Sequence, residues 1–279
     1  MSAHLTPLQQ KLLENLKWFH NFCLEHNLNY YVLGGTMLGA ARHRGLIPWD
    51  DDVDVGMPVR DYLRFIGLLQ QKPTDKYLLE SPANPGEGYW YPFAKLYDTS
   101  TTLIENTAAQ IKRGIYIDVF PLEGMGDTPQ QTRRNFRALA WKMDLLLART
   151  AGIRQGRKWY KNLFVRIGRL LPNWLVNNTK LYAQIHHLTT QTDFDSKTYG
   201  GNPSGAWRLK EIMPRAIYGK PTLYPFENMQ VFGVEKADEY LTHMYGNWRQ
   251  LPPKEKQKTH HDFIAFDLHS SYLTGGTPK

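Results

Sequence analysis

Apolar residues first recur at helical spacing. Leu8, Leu12, Leu13, Leu16, Phe19 and Cys23 predict an amphipathic helix over residues 7 to 26, which Asn27-Leu28-Asn29 breaks. The run Tyr30 to Leu33 reads as a strand, turned by Gly34-Gly35-Thr36 into a short helix from Met37 to about His43. In Asp52-Val53-Asp54-Val55 carboxylates alternate with valines, the period of a strand whose other face packs on a core. Arg60 to Gln70 is helical behind it. Two strands follow, around Tyr77-Leu78-Leu79 and Phe93 to Tyr97, separated by a Pro- and Gly-rich loop from Ser81 to Gly88. Ile115 to Phe120 is a strand, apolar except for Tyr116 and Asp118.

The middle of the chain turns helical. Phe136, Leu139, Ala140, Met143, Leu146 and Leu147 mark one helix; Trp159, Leu163, Ile167, Leu170 and Leu171 mark a second. Asn178-Thr179 predicts the cap of a third, running to about Gln191, and residues 192 to 206 read as loop. Short strands return near Ile212 and Val231, then a helix from Asp238 to Met244 stopped by Gly246. There are no internal repeats. The pattern predicts one α/β domain over 1–279, carrying a helical insertion at 128–192.

The acids suggest the chemistry. Alternation puts Asp52 and Asp54 on one side of a strand, near enough to share a cation. Carboxylates that close repel unless a counter-charge is present, and a hard divalent cation such as Mg²⁺ is the usual one. The Gly34-Gly35-Thr36 turn offers backbone N–H groups and a hydroxyl, which suit a phosphate at Gly35 and Thr36. Asp50 and Asp51, after Pro48-Trp49, read as turn residues. Asp118 needs a partner or a site, because it interrupts an apolar strand.

Composition narrows the setting. One cysteine, Cys23, excludes a disulfide within the chain and reads as a buried apolar residue in a reducing compartment. No apolar run reaches the roughly 18 residues of a membrane span, and the N-terminus does not resemble a signal peptide, so a cytoplasmic protein is expected. Charge is uneven: residues 131 to 180 hold twelve Lys or Arg and one acid, Asp144, while the whole chain is only +8. That basic region would suit a nucleic acid, an anionic membrane face or an acidic polymer.

Three blocks of sequence resemble the LicD family, nucleotidyltransferase-fold proteins that include bacterial phosphocholine transferases. The first runs from Gly34 to Ala40, Arg42 to Gly45 and Ile47 to Asp54; the second is Gly114 to Leu122; the third is Tyr240-Leu241, Tyr245 to Trp248 and Pro252-Pro253. The resemblance implies a polymerase-β-type mixed sheet. It implies two metal ions, Mg²⁺ or Mn²⁺, on Asp52, Asp54 and Asp118, with Asp118 also helping to deprotonate the acceptor. It further implies a CDP-activated alcohol as donor, CDP-choline foremost. The acceptor would be a sugar hydroxyl of a bacterial surface glycan or lipid-linked glycan, met at the inner face of an anionic membrane.

Around such a site Arg42, Lys95 and Arg113 are candidates for a phosphate clamp, since each lies in or beside a motif. A trimethylammonium group needs aromatic faces, and Tyr89-Trp90-Tyr91 offers them, with Trp90 first and Trp49 second. His43 reads as a solvent-facing turn residue. His260-His261-Asp262 resembles a metal site, but adjacent histidines on a strand point apart. Rival readings are a nucleotide-sugar glycosyltransferase, a nucleotidyltransferase using an NTP, and a nucleic-acid-binding protein built on the basic helices. The phosphotransfer reading expects no nucleic-acid partner.

Overall fold

The structure is a computed structural model describing residues 5–105, 111–152, 159–259 and 263–274. Helix α1 (Pro7–Glu25) starts in a capping box: Thr6 Oγ1 accepts the Gln9 N–H at 3.2 Å, and Gln9 Oε1 accepts the Thr6 N–H at 3.1 Å. Its apolar stripe, Leu12, Leu16, Phe19 and Cys23, is buried. Gln9 is buried too, and its Nε2 donates to Ile47 O at 3.1 Å and Asp50 O at 3.0 Å. The first helix thereby holds the acidic loop through backbone carbonyls.

Strand β1 (Tyr31–Val32) leads into α2 (Gly34–Arg42). The helix begins at Gly34, three residues earlier than the apolar pattern suggested, because the glycine turn is itself its first turn. Gly34 adopts φ +50°, a left-handed conformation suited to glycine. Strand β2 (Asp54–Pro58) and α3 (Val59–Gln71) follow, then β3 (Tyr77–Glu80), β4 (Ala94–Glu105) and β5 (Lys112–Gly126). Asp52 lies just outside β2 rather than in it.

Helices α4 (Pro129–Thr150), α5 (Trp159–Leu170) and α6 (Asn178–Leu188) form the helical middle. Asn177, not Asn178, caps α6, accepting the Lys180 N–H at 2.9 Å. The segment read as loop contains β6 (Tyr199–Gly201), which pairs with β5 and with β7 (Ile212–Pro214). A hairpin of β8 (Thr222–Phe226) and β9 (Met229–Gly233), helix α7 (Ala237–Tyr245) and strand β10 (Phe263–Asp267) complete the described chain.

The fold is mixed α/β with a curled mixed sheet whose main path runs β1-β2-β5-β4-β10. β2 and β5 are parallel, with Asp54 beside Asp118; β4 is antiparallel to β5, with Lys95 beside Asp118. Register partners on neighbouring strands project to one face, so Asp54, Asp118 and Lys95 form a row across three strands. Helices α4 and α6 share the sheet's core through Leu139, Leu146, Leu181, Tyr182 and Ile185. Helix α5 buries only Val165 and Gly168.

Helix α2 is seated closely: a Cβ on Gly39 would lie 2.4 Å from Gly45 O, a backbone atom. Gly39→Ala should therefore destabilise the protein by about 1–3 kcal/mol, the usual range for overpacking. A lowered urea midpoint at unchanged slope would register it; an unchanged midpoint would refute the close seating.

Candidate active site

The site grows from the row on β2, β5 and β4. Asp54 leads β2, and its N–H donates to Thr36 Oγ1 at 2.9 Å, which ties the strand to the first turn of α2. The turn and the acids are in contact range. A Cβ on Gly35 would lie 2.7 Å from Asp50 Oδ2, and one on Gly34 would lie 3.4 Å from Asp54 Oδ2. At Gly35 only a residue without a side chain lets the α2 N-terminus come this close to a carboxylate, while Gly34 is required by its left-handed φ; the helix dipole favours the negative charge there.

Asp50, Asp51 and Asp52 place carboxylate oxygens within 4.8 Å of one another. Asp50 does occupy a turn, its N–H donating to Ile47 O at 2.9 Å, yet it also joins the acidic cluster. Asp52 thus has Asp50 and Asp51 as its nearest grouped acids, whereas the alternating pattern had paired it with Asp54. Asp54 still feels it. Burial raises the Asp54 pKa most, followed by the charges of Asp52, Asp118, Glu211 and Asp50.

Asp118 is buried, and burial lifts its pKa to about 6 against the lowering influence of Lys95. Lys95 Nζ lies 2.9 Å from Asp118 Oδ1 and 3.6 Å from Glu105 Oε1, and sits over the Tyr116 ring at 3.3 Å. The lysine is only 2% exposed. Burial alone would lower its pKa, but Asp118 and Glu105 outweigh it and the ammonium stays charged. The structure thus places Lys95 at the site, as a buried partner of Asp118.

The other candidates lie elsewhere. Arg113 Nε donates to Glu80 Oε2 at 2.8 Å and its Nη2 to Glu87 O at 3.0 Å, near the start of β5, ahead of Asp118 in mid-strand. Arg42 donates from Nη1 to Trp248 O at 2.7 Å, fastening α2 to the segment after α7. Trp49 packs on the core and meets His43 edge to face at 6.0 Å. His43 is half-buried rather than water-facing; burial, then Arg42, lowers its pKa. His260, His261 and Asp262 lie outside the described residues, as do Arg154, Arg157 and Lys158 of the basic region.

Pattern reading missed two contributors. Tyr240, in the third block, accepts the Gly34 N–H at its hydroxyl, 3.1 Å away, so α7 closes directly on the glycine turn. Glu211 is buried, accepts the Trp207 N–H at 2.8 Å, and acts electrostatically on Asp54, Tyr240 and Tyr245. Nothing local in sequence marked it; its neighbours form no motif.

A cavity of about 640 Å³ lies beside Glu211, lined by Trp90, Tyr91, Asp144, Phe164, Gly205 and Arg208 among others. A Cβ on Gly205 would meet Glu211 Oε2 at 1.9 Å, so the cavity wall rests against that carboxyl. Trp90 meets Tyr182 edge to face at 5.5 Å, and Asp144 receives Arg208 in a two-point ion pair at 2.8 and 3.0 Å. The donor set fits a hard divalent cation: clustered carboxylate oxygens, an Asp54 whose charge four neighbouring acids oppose, and a glycine cradle any Cβ would fill.

Burial raises the Glu211 pKa from 4.5 to about 7. The native state therefore holds the proton more tightly than the unfolded chain. The stability this confers is complete below pH 4.5 and is lost as pH rises through about 7. Glu211→Gln keeps the acceptor for Trp207 and removes the titration. In chelator-treated protein it should flatten the fall in unfolding free energy across that window, read by urea titration at several pH values. An unchanged slope would refute the assignment.

Residues 27–138 match the LicD/FKTN/FKRP nucleotidyltransferase domain. Over 277 residues the chain is 29% identical to lipopolysaccharide cholinephosphotransferase LicD of Haemophilus influenzae, covering 95% of this chain and 99% of that one. A shorter stretch of 44 residues is 48% identical to ribitol 5-phosphate transferase FKRP of Homo sapiens, and equally to that of Mus musculus, 16% of this chain and 8% of theirs. The chain thus shares a LicD/FKTN/FKRP nucleotidyltransferase domain over residues 27–138 and is similar along nearly its whole length to a LicD cholinephosphotransferase.

Proposed function

We propose that this chain is a LicD-family phosphotransferase that moves a phosphoalcohol, phosphocholine foremost, from a CDP-activated donor to a sugar hydroxyl of a bacterial surface glycan such as teichoic acid, capsule or lipopolysaccharide. One observation carries the reading: Asp54 and Asp118 stand side by side on parallel strands, with the glycine start of α2 against Asp54. The matched relatives agree in chemical class, since each is named for transfer of a phosphate bearing an alcohol.

Asp52, Asp54 and Asp118 would hold Mg²⁺ or Mn²⁺, in two ions, with Asp50 and Asp51 beside Asp52. A bound divalent cation supplies charge neutralisation on the donor diphosphate. The chain's own groups do the rest. The N-terminal turn of α2, at Gly35 and Thr36, receives phosphate oxygens. The acceptor oxygen attacks the phosphorus bearing the alcohol, the bond to the CMP oxygen breaks, and CMP leaves with the electron pair. The acceptor proton passes to Asp118 Oδ2, opposite the Oδ1 contact with Lys95. With Oδ1 held by Lys95, Oδ2 is the oxygen of Asp118 placed to act as general base.

The cavity beside Glu211 is the proposed donor-alcohol pocket, with Trp90 and Tyr91 facing a trimethylammonium. The helices of residues 128–192, which supply part of its wall, are proposed as the acceptor-handling part of a single catalytic domain spanning 1–279. Of the basic clamp, Arg42 and Arg113 are engaged in holding the fold, so the phosphates depend on the α2 N-terminus and the cation.

Incubation with a panel of CDP-alcohols, Mg²⁺ and a glycan acceptor should release CMP. Asp52→Asn or Asp54→Asn should leave less than about a tenth of the rate with the fold intact, since loss of a metal's several kcal/mol costs far more than tenfold. Diphosphate release from an NTP, without CMP from any CDP-alcohol, would establish the nucleotidyltransferase rival instead.

Trp90→Ala should raise KM for CDP-choline about 3- to 30-fold, the range of a cation–π contact, and leave KM for CDP-ribitol nearly unchanged. An equal rise for both donors would remove Trp90 from the cage.

A further inference from the structure

Helix α5 carries apolar residues on both of its sides. Its inner side, Val165 and Gly168, seats against α4, where a Cβ on Gly168 would meet the Ala148 Cβ at 2.5 Å. Arg149 locks that seat, donating to Gly168 O at 3.2 Å and to Asn173 Oδ1 at 2.7 Å. The helix therefore cannot turn its other side inward. That other side follows the i, i+3/i+4 rule: Tyr160, Leu163, Ile167 and Leu170 share one exposed stripe. Leu170 is 83% exposed, and Trp174, in the turn just beyond, is 85% exposed.

A globular surface helix normally turns charge outward. Here the charge sits along one flank of the stripe, on Arg166 and Arg169, both exposed, while Lys161 lies on the cavity side of the helix. The surrounding region, residues 131 to 180, has twelve basic residues and one acid, and that acid is bound to Arg208. Apolar ridge, basic flank and exposed tryptophans are the composition of a helix lying in the plane of a bilayer interface.

We propose that the outer face of α5 and the Pro172–Val176 turn dock on an anionic lipid bilayer, with Leu163, Ile167, Leu170 and Trp174 entering the headgroup–acyl boundary and Arg166 and Arg169 meeting lipid phosphates. A second copy of the chain would bring the same basic flank against its counterpart across a two-fold axis, which like charges oppose. A nucleic acid would satisfy the charges but leave the apolar ridge in water. No helix among the described residues is long and apolar enough to cross a membrane, so the attachment is to one face. The proposal does not depend on which donor the enzyme uses.

The test is flotation of the full-length protein with vesicles of equimolar phosphatidylcholine and phosphatidylglycerol, and with phosphatidylcholine alone, at physiological salt. Wild type should float with the anionic vesicles and far less with the neutral ones. Arg166→Gln with Arg169→Gln should weaken partitioning about 30-fold, two basic groups' worth. Ile167→Ser with Leu170→Ser should weaken it at least tenfold, because two apolar side chains no longer leave water. All four positions are exposed, so the thermal midpoint should hold for the Ile167–Leu170 pair and fall slightly for the arginine pair, because Arg169 Nη2 also donates to Ala151 O, and tryptophan emission should shift to the blue on binding only where partitioning survives. Absence of flotation at physiological salt would overturn the proposal. So would binding that the arginine pair abolishes and the Ile167–Leu170 pair leaves intact, since that is surface attraction without insertion. A self-association that Ile167→Ser with Leu170→Ser abolishes, without vesicle binding, would assign the face to a second copy.

Discussion

The carboxylates around Asp54 repel, and much of the molecule is arranged to hold them together. Burial raises its pKa most, and Asp52, Asp118, Glu211 and Asp50 all raise it further. Left alone, such a cluster would open or take up protons. Covalent closeness along the chain accounts for Asp50, Asp51 and Asp52. Asp118 and Glu211 come from distant segments and must be held. β5 holds Asp118 by parallel pairing with β2, and Lys95 holds it by charge. Lys95 is the only lysine or arginine buried among the described residues. Its ammonium lies over Tyr116 and within reach of Glu105, so its desolvation is offset on several sides. Gln9 grips the acidic loop from α1, and Tyr240 grips the glycine turn from α7. Elements from both ends of the chain thus converge on one unfavourable cluster, which a divalent cation would relieve.

What the sequence could reveal followed from what is local. The alternation at Asp54 and the apolar frame around Asp118 are periodic signals, and both residues stand in strands. Helices α1, α3 and α4 were legible because their stripes are long. Register was not legible. Lys95 faces Asp118 because β4 and β5 pair antiparallel with an irregularity between Asp98 and Leu103, a feature no single-strand pattern encodes. The same lack of register information made Arg113 look adjacent to the site, though its partner Glu80 is set by cross-strand geometry. Glu211 was invisible for a different reason: a lone acid before a short strand reads as surface until the fold buries it.

The third sequence block shows how a motif can be functional through support. Tyr240 and Tyr245 lie near Asp54, and Trp248 receives Arg42 through its carbonyl. None of these needs to touch a substrate to matter. Gly34 and Gly35 leave α2 free to approach the acids, and that freedom would make the turn slack without a brace. α7 is the brace. Arg42, a candidate phosphate ligand from its place in the first block, also serves this closure through Nη1, which donates to Trp248 O and Gln250 O.

Helix α5 joins the two regions of the molecule that chemistry must connect. Lys161, Phe164 and Val165 line the cavity beside Glu211, while Leu163, Ile167 and Leu170 face out. An α-helix with its side chains is about 10 Å across. A surface covering the outer side would therefore lie roughly one helix diameter from the cavity. A nucleotide donor is water-soluble, whereas a glycan built on a lipid carrier is confined to the plane of its membrane. On the proposed function and docking geometry, the proposed donor pocket would open on the protein's side of α5 and a lipid-carried acceptor would lie on the other. The helix that leaves its apolar stripe uncovered would then hold the site at the height where the two substrates meet.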